Sequence, residues 1–120
     1  MKLLTLALLF LALSVTPALA QHSATLNWSW SQGTGDAATG FHIWRSTGTT
    51  CTTGQTTPYA TVSSSTILTY VDLVVLGGTS YCYTVSSFNS AGDSAMSNSY
   101  TAVIPIAVPA APTGLTGSAK

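Results

Sequence analysis

The run "YCYTVSSFN" at residues 81–89 constrains the fold more than any other stretch. Tyr81, Tyr83, Val85 and Ser87 fall on one face, and Cys82, Thr84, Ser86 and Phe88 on the other. That two-residue period is the signature of a β-strand, and a strand this long needs partners. Shorter alternations supply them. In "SATLNWSWS" (residues 23–31), Ala24, Leu26, Trp28 and Trp30 share a face. In "FHIWRST" (residues 41–47), Phe41 and Ile43 oppose His42 and Trp44. "YATVSS" (59–64), "ILTYVD" (67–72) and "SNSYTAVIP" (97–105) read as further strands, separated by Gly, Ser, Thr and Asp turn chemistry. Six short strands and no helical periodicity predict an all-β sandwich of two antiparallel sheets.

The first twenty residues stand apart. Lys2 precedes the apolar run "LLTLALLFLALSV", and Ala18 and Ala20 lie where a signal peptidase needs small side chains. Residues 1–20 read as a secretory signal peptide, with Gln21 opening the mature chain. The run is short for a membrane span, so no membrane attachment is expected after cleavage. About one hundred residues remain, enough for one small domain with a modest core. Roughly one third of them are Ser or Thr, which favours strands and turns.

An exported chain oxidises its thiols. Cys51 and Cys82 are the two cysteines, so they are expected to pair and close a loop of about thirty residues. Free thiols or a metal pair would need supporting His or acidic spacing that is not there. Beyond residue 20 the cations are Arg45 and Lys120, and the anions Asp36, Asp72 and Asp93. So few positive charges exclude nucleic acid as a main partner.

Several segments together carry a family resemblance. "ATLNW", "GFHIWRS", "LTYVD", "LGGTSYCYTVSSFNSAGDSAMSN" and "YTAVIP" look like a fibronectin type III domain over residues 23–105, within a domain spanning 21–107. The most specific part is Gly78, Thr79 and Tyr81 leading into strand F, followed by Asn89 and Gly92. The resemblance implies an immunoglobulin-like sandwich, with Trp28 as the buried tryptophan of strand B and Tyr81 as the tyrosine at the corner before strand F. It also implies a spacer, adhesion or protein-interaction role at the cell surface or outside the cell, extracellular or periplasmic.

Catalytic chemistry is not expected. No serine stands in a Gly-x-Ser-x-Gly context, and Asp36, Asp72 and Asp93 fall in separate turns or strand ends, where they read as turn residues bonding nearby backbone. His22 and His42 lack the third ligand a metal site needs, and no cofactor is implied. Asn27-Trp28-Ser29 matches a glycosylation sequon but lies in mid-strand. His42, Trp44 and Phe88 are the one candidate patch. With strands C and F adjacent, they would form an aromatic and polar surface for a protein or a glycan. Alternatively, Trp44 simply covers the disulfide, since Cys82 shares the outward face.

The family places a strand A ahead of strand B, typically Pro-x-x-Pro-x-x-Leu. Here "QHS" alone would separate the cleavage point from strand B. The missing pattern recurs at the other end, in "PAAPTGLTGS", beginning at Pro109 and closing at Ser118 within a tail of residues 108–120. The tail is the start of a further module, a plain disordered tail, or a strand donated head to tail into the next molecule.

Overall fold

In the computed structural model, residues 21–120 are described; the expected signal peptide lies outside them. The chain forms seven strands: β1 (Ala24–Asn27), β2 (Gly40–Thr47), β3 (Ala60–Val62), β4 (Thr69–Asp72), β5 (Ser80–Asn89), β6 (Gly92–Asp93) and β7 (Tyr100–Val103). Among the described residues there is no helix. β1 pairs antiparallel with β4 in a two-stranded sheet. The second sheet runs β3-β2-β5, with β6 and β7 both pairing antiparallel to β5. The expected all-β arrangement of two antiparallel sheets is therefore present.

The period-two pattern explains how the sheets meet. Leu26 of β1, Phe41 and Ile43 of β2, Tyr81 and Tyr83 of β5, and Ala102 of β7 are all buried in one cluster. Trp28 and Trp30, continuing the alternation of β1, pack edge-on against Phe41 with ring centroids 5.2 and 5.8 Å away. Such edge-to-face contacts suit the aromatic quadrupole. Both sheets thus share one core, as a sandwich requires. Gly40 opens β2 for a steric reason: a Cβ there would lie 2.0 Å from Val62 O, so only glycine lets β3 approach.

The strands are shorter than their sequence patterns. β1 ends at Asn27 rather than continuing to residue 31, and β3 and β4 each lose residues at their ends. The last predicted strand, residues 97–105, is the most altered. Ser94 N–H donates to Ser87 O, and Ser97 N–H to Val85 O, both at 2.8 Å. In return, the backbone N–H groups of Ser87 and Val85 donate to the Oγ atoms of Ser94 and Ser97 at 3.0 Å. Three residues of this segment thus span two of β5, which is a bulge. Serine hydroxyls complete the ladder where carbonyls are displaced, leaving β6 and β7 as two pieces of one interrupted strand.

Cys51 and Cys82 form a disulfide, as expected. It ties the loop after β2 to β5 near its start, and Ser46 Oγ, accepting from Thr52 N–H, holds the same loop from β2. Closing a loop of 31 residues restricts the unfolded chain. Reduction, or a Cys51→Ala/Cys82→Ala variant, should lower the unfolding free energy in urea by roughly 3 to 4 kcal/mol. An unchanged midpoint would show that the bond does not bear on stability.

Candidate functional site

Two side-chain clusters account for most of the charge. The first lies between the sheets. Asp72, at the end of β4, is 1% exposed. Its Oδ2 accepts from Arg45 Nη1 and from Tyr83 OH, both at 2.8 Å. Its Oδ1 accepts from Tyr59 OH and from Val74 N–H, both at 2.9 Å. Arg45 also donates to Val74 O, and its guanidinium sits 3.8 Å from the centroid of Tyr59 and 4.8 Å from that of Tyr81. Burial alone pushes the Asp72 carboxyl up, but the bonds from Tyr83, Val74 N–H, Tyr59 and Arg45 together hold it below the ordinary carboxylate range. Burial, with the bond to that carboxylate, pushes Tyr59 up to about 12. Asp72 was expected to be a turn residue bonding local backbone; the structure corrects this. It keeps one such bond, to Val74, and spends the rest on the larger sheet and the residue just before β3.

The cluster is a fully satisfied ion pair surrounded by aromatic rings. Every donor that reaches Asp72 belongs to the scaffold, and the carboxylate has no solvent-facing surface. Its chemistry is structural.

The second cluster lies on the opposite face of β2 and β5. The pairing of β2 with β5 sets His42 opposite Ser86 and Gly40 opposite Phe88. The His42 ring stacks on Phe88, 4.0 Å between centroids and 4° from parallel, and meets Trp44 edge-on at 6.0 Å. His42 Nδ1 donates to Asp93 Oδ1 at 2.7 Å. The three expected patch residues are therefore neighbours, but they are not equivalent. His42 and Phe88 are half-buried, whereas Trp44 is 5% exposed and its indole N–H donates to Ser86 Oγ at 2.8 Å. Trp44 does not offer an open aromatic face. Asp93, expected to be a turn residue bonding nearby backbone, is instead the direct partner of His42, because the tight turn after β5 carries β6 back beside Phe88.

Phe88 and Asp93 also line a cleft of about 350 Å³ between the loop after β1 and the β5–β6 turn. Trp30 and Asp36 come from the first loop, and Asn89 from the second. Two of the chain's three aspartates face this cleft, and no Lys or Arg lines it. Two hydroxyls nearby are committed to the scaffold. Ser94 Oγ accepts from Ser87 N–H and donates to Ala95 O, and Ser86 Oγ holds Trp44. Among the described residues, no group of three His, Cys, Asp or Glu side chains is arranged to hold a metal ion. No protein-family model and no curated protein matches the chain.

Removing one hydrogen bond to the buried carboxylate, by Tyr83→Phe, should cost about 2 kcal/mol in chemical unfolding. The pH dependence has a definite sign. The folded-state pKa of Asp72 lies below its unfolded value, so its contribution is complete above about pH 4 and is lost as pH falls through the folded value. Unfolding free energy measured from pH 7 down to pH 2 should fall in that window, and the fall should flatten in Asp72→Asn. An acid slope that persists in the variant would assign it to other groups.

Proposed function

We propose that the chain is a non-catalytic recognition and spacer module of the fibronectin type III kind, working outside the cytoplasm and engaging a protein partner through its loop pole. The fold assignment is supported by strand order and by one detail. β1 and β4 make one sheet and β3, β2, β5 and β7 the other, the order of the family's B and E strands against C′, C, F and G. Tyr81 OH, at the start of β5, accepts from Leu76 N–H five residues earlier at 3.1 Å, as a tyrosine corner does. The disulfide suits an oxidising compartment.

The observation that carries the functional reading is the cleft at the loop pole. It combines two aromatics, Trp30 and Phe88, with Asp36 and Asp93, on loops held by a rigid sheet. Loops presented from a fixed scaffold are where recognition concentrates. Aromatic area beside two carboxylates, with no Lys or Arg in the lining, fits a protein segment that offers Lys or Arg beside an apolar side chain. The His42–Asp93 bond and the His42–Phe88 stack fix one wall of the cleft before any partner arrives, which lowers the ordering cost of binding. Among the described residues no hydroxyl is hydrogen-bonded to His42, which favours recognition over catalysis.

A photo-crosslinking residue at Ala91, on the tip of the β5–β6 turn, tests this in the extracellular fraction of the source organism. The expected result is a discrete protein adduct that weakens in Phe88→Ala and at high salt. Labelling indistinguishable from that of a probe at Ile67 overturns the reading. Binding to a glycan array that is lost in Phe88→Ala would favour a carbohydrate ligand instead.

A further inference from the structure

We infer that the free edge of β1 accepts residues 109–118 of a second copy of this chain, joining molecules head to tail. This rests on the edge and the tail alone, and is independent of the loop-pole cleft.

Among the described residues, β1 is paired on one side only, by β4. Trp28 N–H donates to Leu68 O at 3.1 Å, which fixes the phase of the ladder. In an antiparallel pair the inward groups alternate, so Leu26 and Ala24 exchange bonds with β4 while the backbone groups of Thr25, Asn27 and Ser29 point away from it. These are a row of unsatisfied donors and acceptors of the kind a further strand pairs with.

A cleft of about 690 Å³ runs beside this edge, between β1 and the interrupted β6–β7 strand. Leu26, Trp28, Tyr83, Val85, Asn98 and Tyr100 line it, and no charged residue does. Trp28 Nε1 is buried there without an acceptor among the described residues. The cleft therefore calls for an uncharged, extended segment with an apolar side chain to seat between the sheets.

The tail has that chemistry. "PAAPTGLTGS" carries no charge, its one large apolar residue is Leu115, and Leu115 is 99% exposed. Residues 107–120 are all exposed and make no strand of their own. Pro109 and Pro112 lack an N–H and, three residues apart, face opposite sides of an extended strand; Pro109 is tolerated as its first residue, and Pro112 then faces the side that stays unpaired.

Direction decides which copy supplies it. A Cβ on Gly77 would lie 2.8 Å from His22 Nε2 and 3.1 Å from Pro105 O, so the start of β1 and the exit of β7 meet at one pole. A tail folding back from there along its own β1 would run parallel to it. A U-turn from Pro105 would allow this, but a parallel ladder is less stable per residue than an antiparallel one, and β1 already pairs antiparallel with β4. A tail arriving from a second molecule at the far pole runs antiparallel and needs no reversal. The joint is heterologous, so it extends into chains instead of closing as a dimer.

Light scattering on size-exclusion eluates of the purified chain should show mass rising with concentration beyond a dimer. Leu115→Asp, at a fully exposed site that cannot affect folding of the monomer, should return it to a monomer. Deletion of residues 109–120 should do the same, and a peptide of residues 109–118 should then bind the shortened protein one to one, shifting its tryptophan fluorescence. Three results overturn the inference. One is oligomers that persist in both variants. Another is a concentration-independent monomer with no peptide binding, whatever segment, residues 1–20 included, then covers β1. The third is a monomer whose tryptophan emission changes on tail deletion, which would mean the tail folds back on its own domain.

Discussion

The structure depends on one buried carboxylate. The β1–β4 sheet has two strands of four residues each, too little to persist alone in water. It is held to the larger sheet by apolar packing and by Asp72, which reaches from β4 to Arg45 on β2, Tyr83 on β5 and Tyr59 just before β3. The packing is non-directional, since Leu26 could slide against Phe41 and Ile43 at small cost. Four bonds to one carboxylate cannot slide. Asp72 therefore sets the registry of one sheet on the other, while the core supplies most of the stabilisation. The desolvation such a pair incurs is offset only because both oxygens are fully bonded.

That division of labour extends to the outer face. There the sheet carries Trp44 and Cys82 where solvent would ordinarily be, and both are buried. The disulfide brings the loop after β2 onto β5, which turns part of an exposed face into a second, smaller interior. His42 and Phe88 sit at its margin, half-buried, and the Asp93 carboxylate ties the β5–β6 turn to that margin. The loop-pole cleft thus inherits its rigidity from elements that were not built for it.

Much of this was legible in the sequence, and the misses have physical reasons. Alternation located β2 and β5 to within a residue, because both faces of those strands carry strong side chains. It overran β1 and the last strand, since alternation records which face is apolar and says nothing of where the ladder ends or bulges. Trp44 was placed outward correctly, yet it is buried: period two distinguishes faces, not what a loop later does to one of them. Asp72 is the instructive miss. Arg45 shares its face with Phe41 and Ile43, and Asp72 shares its face with Leu68 and Tyr70, so a single inward cation and a single inward anion were both readable. Reading each strand separately left them unpaired. The approach of His42 to Asp93 had no comparable signal, because it arises from the tightness of one turn.

The shortage of charge also shapes how the sheets end. Proteins commonly guard strand edges with lysines or inward charges, and this chain has 5% charged residues. The edges of its larger sheet are guarded by geometry instead. β3 is three residues long, and the edge opposite it is broken into β6 and β7 by the serine bulges. Neither offers a regular ladder of useful length. β1 has no such device: its ladder is regular through Trp28, its outward backbone groups are in phase, and an uncharged cleft lies beside it. In a chain that cannot repel an approaching strand electrostatically, an edge of that kind is made safe only by being covered. The segment that suits it is neutral and extended, which describes chemistry this sequence already contains.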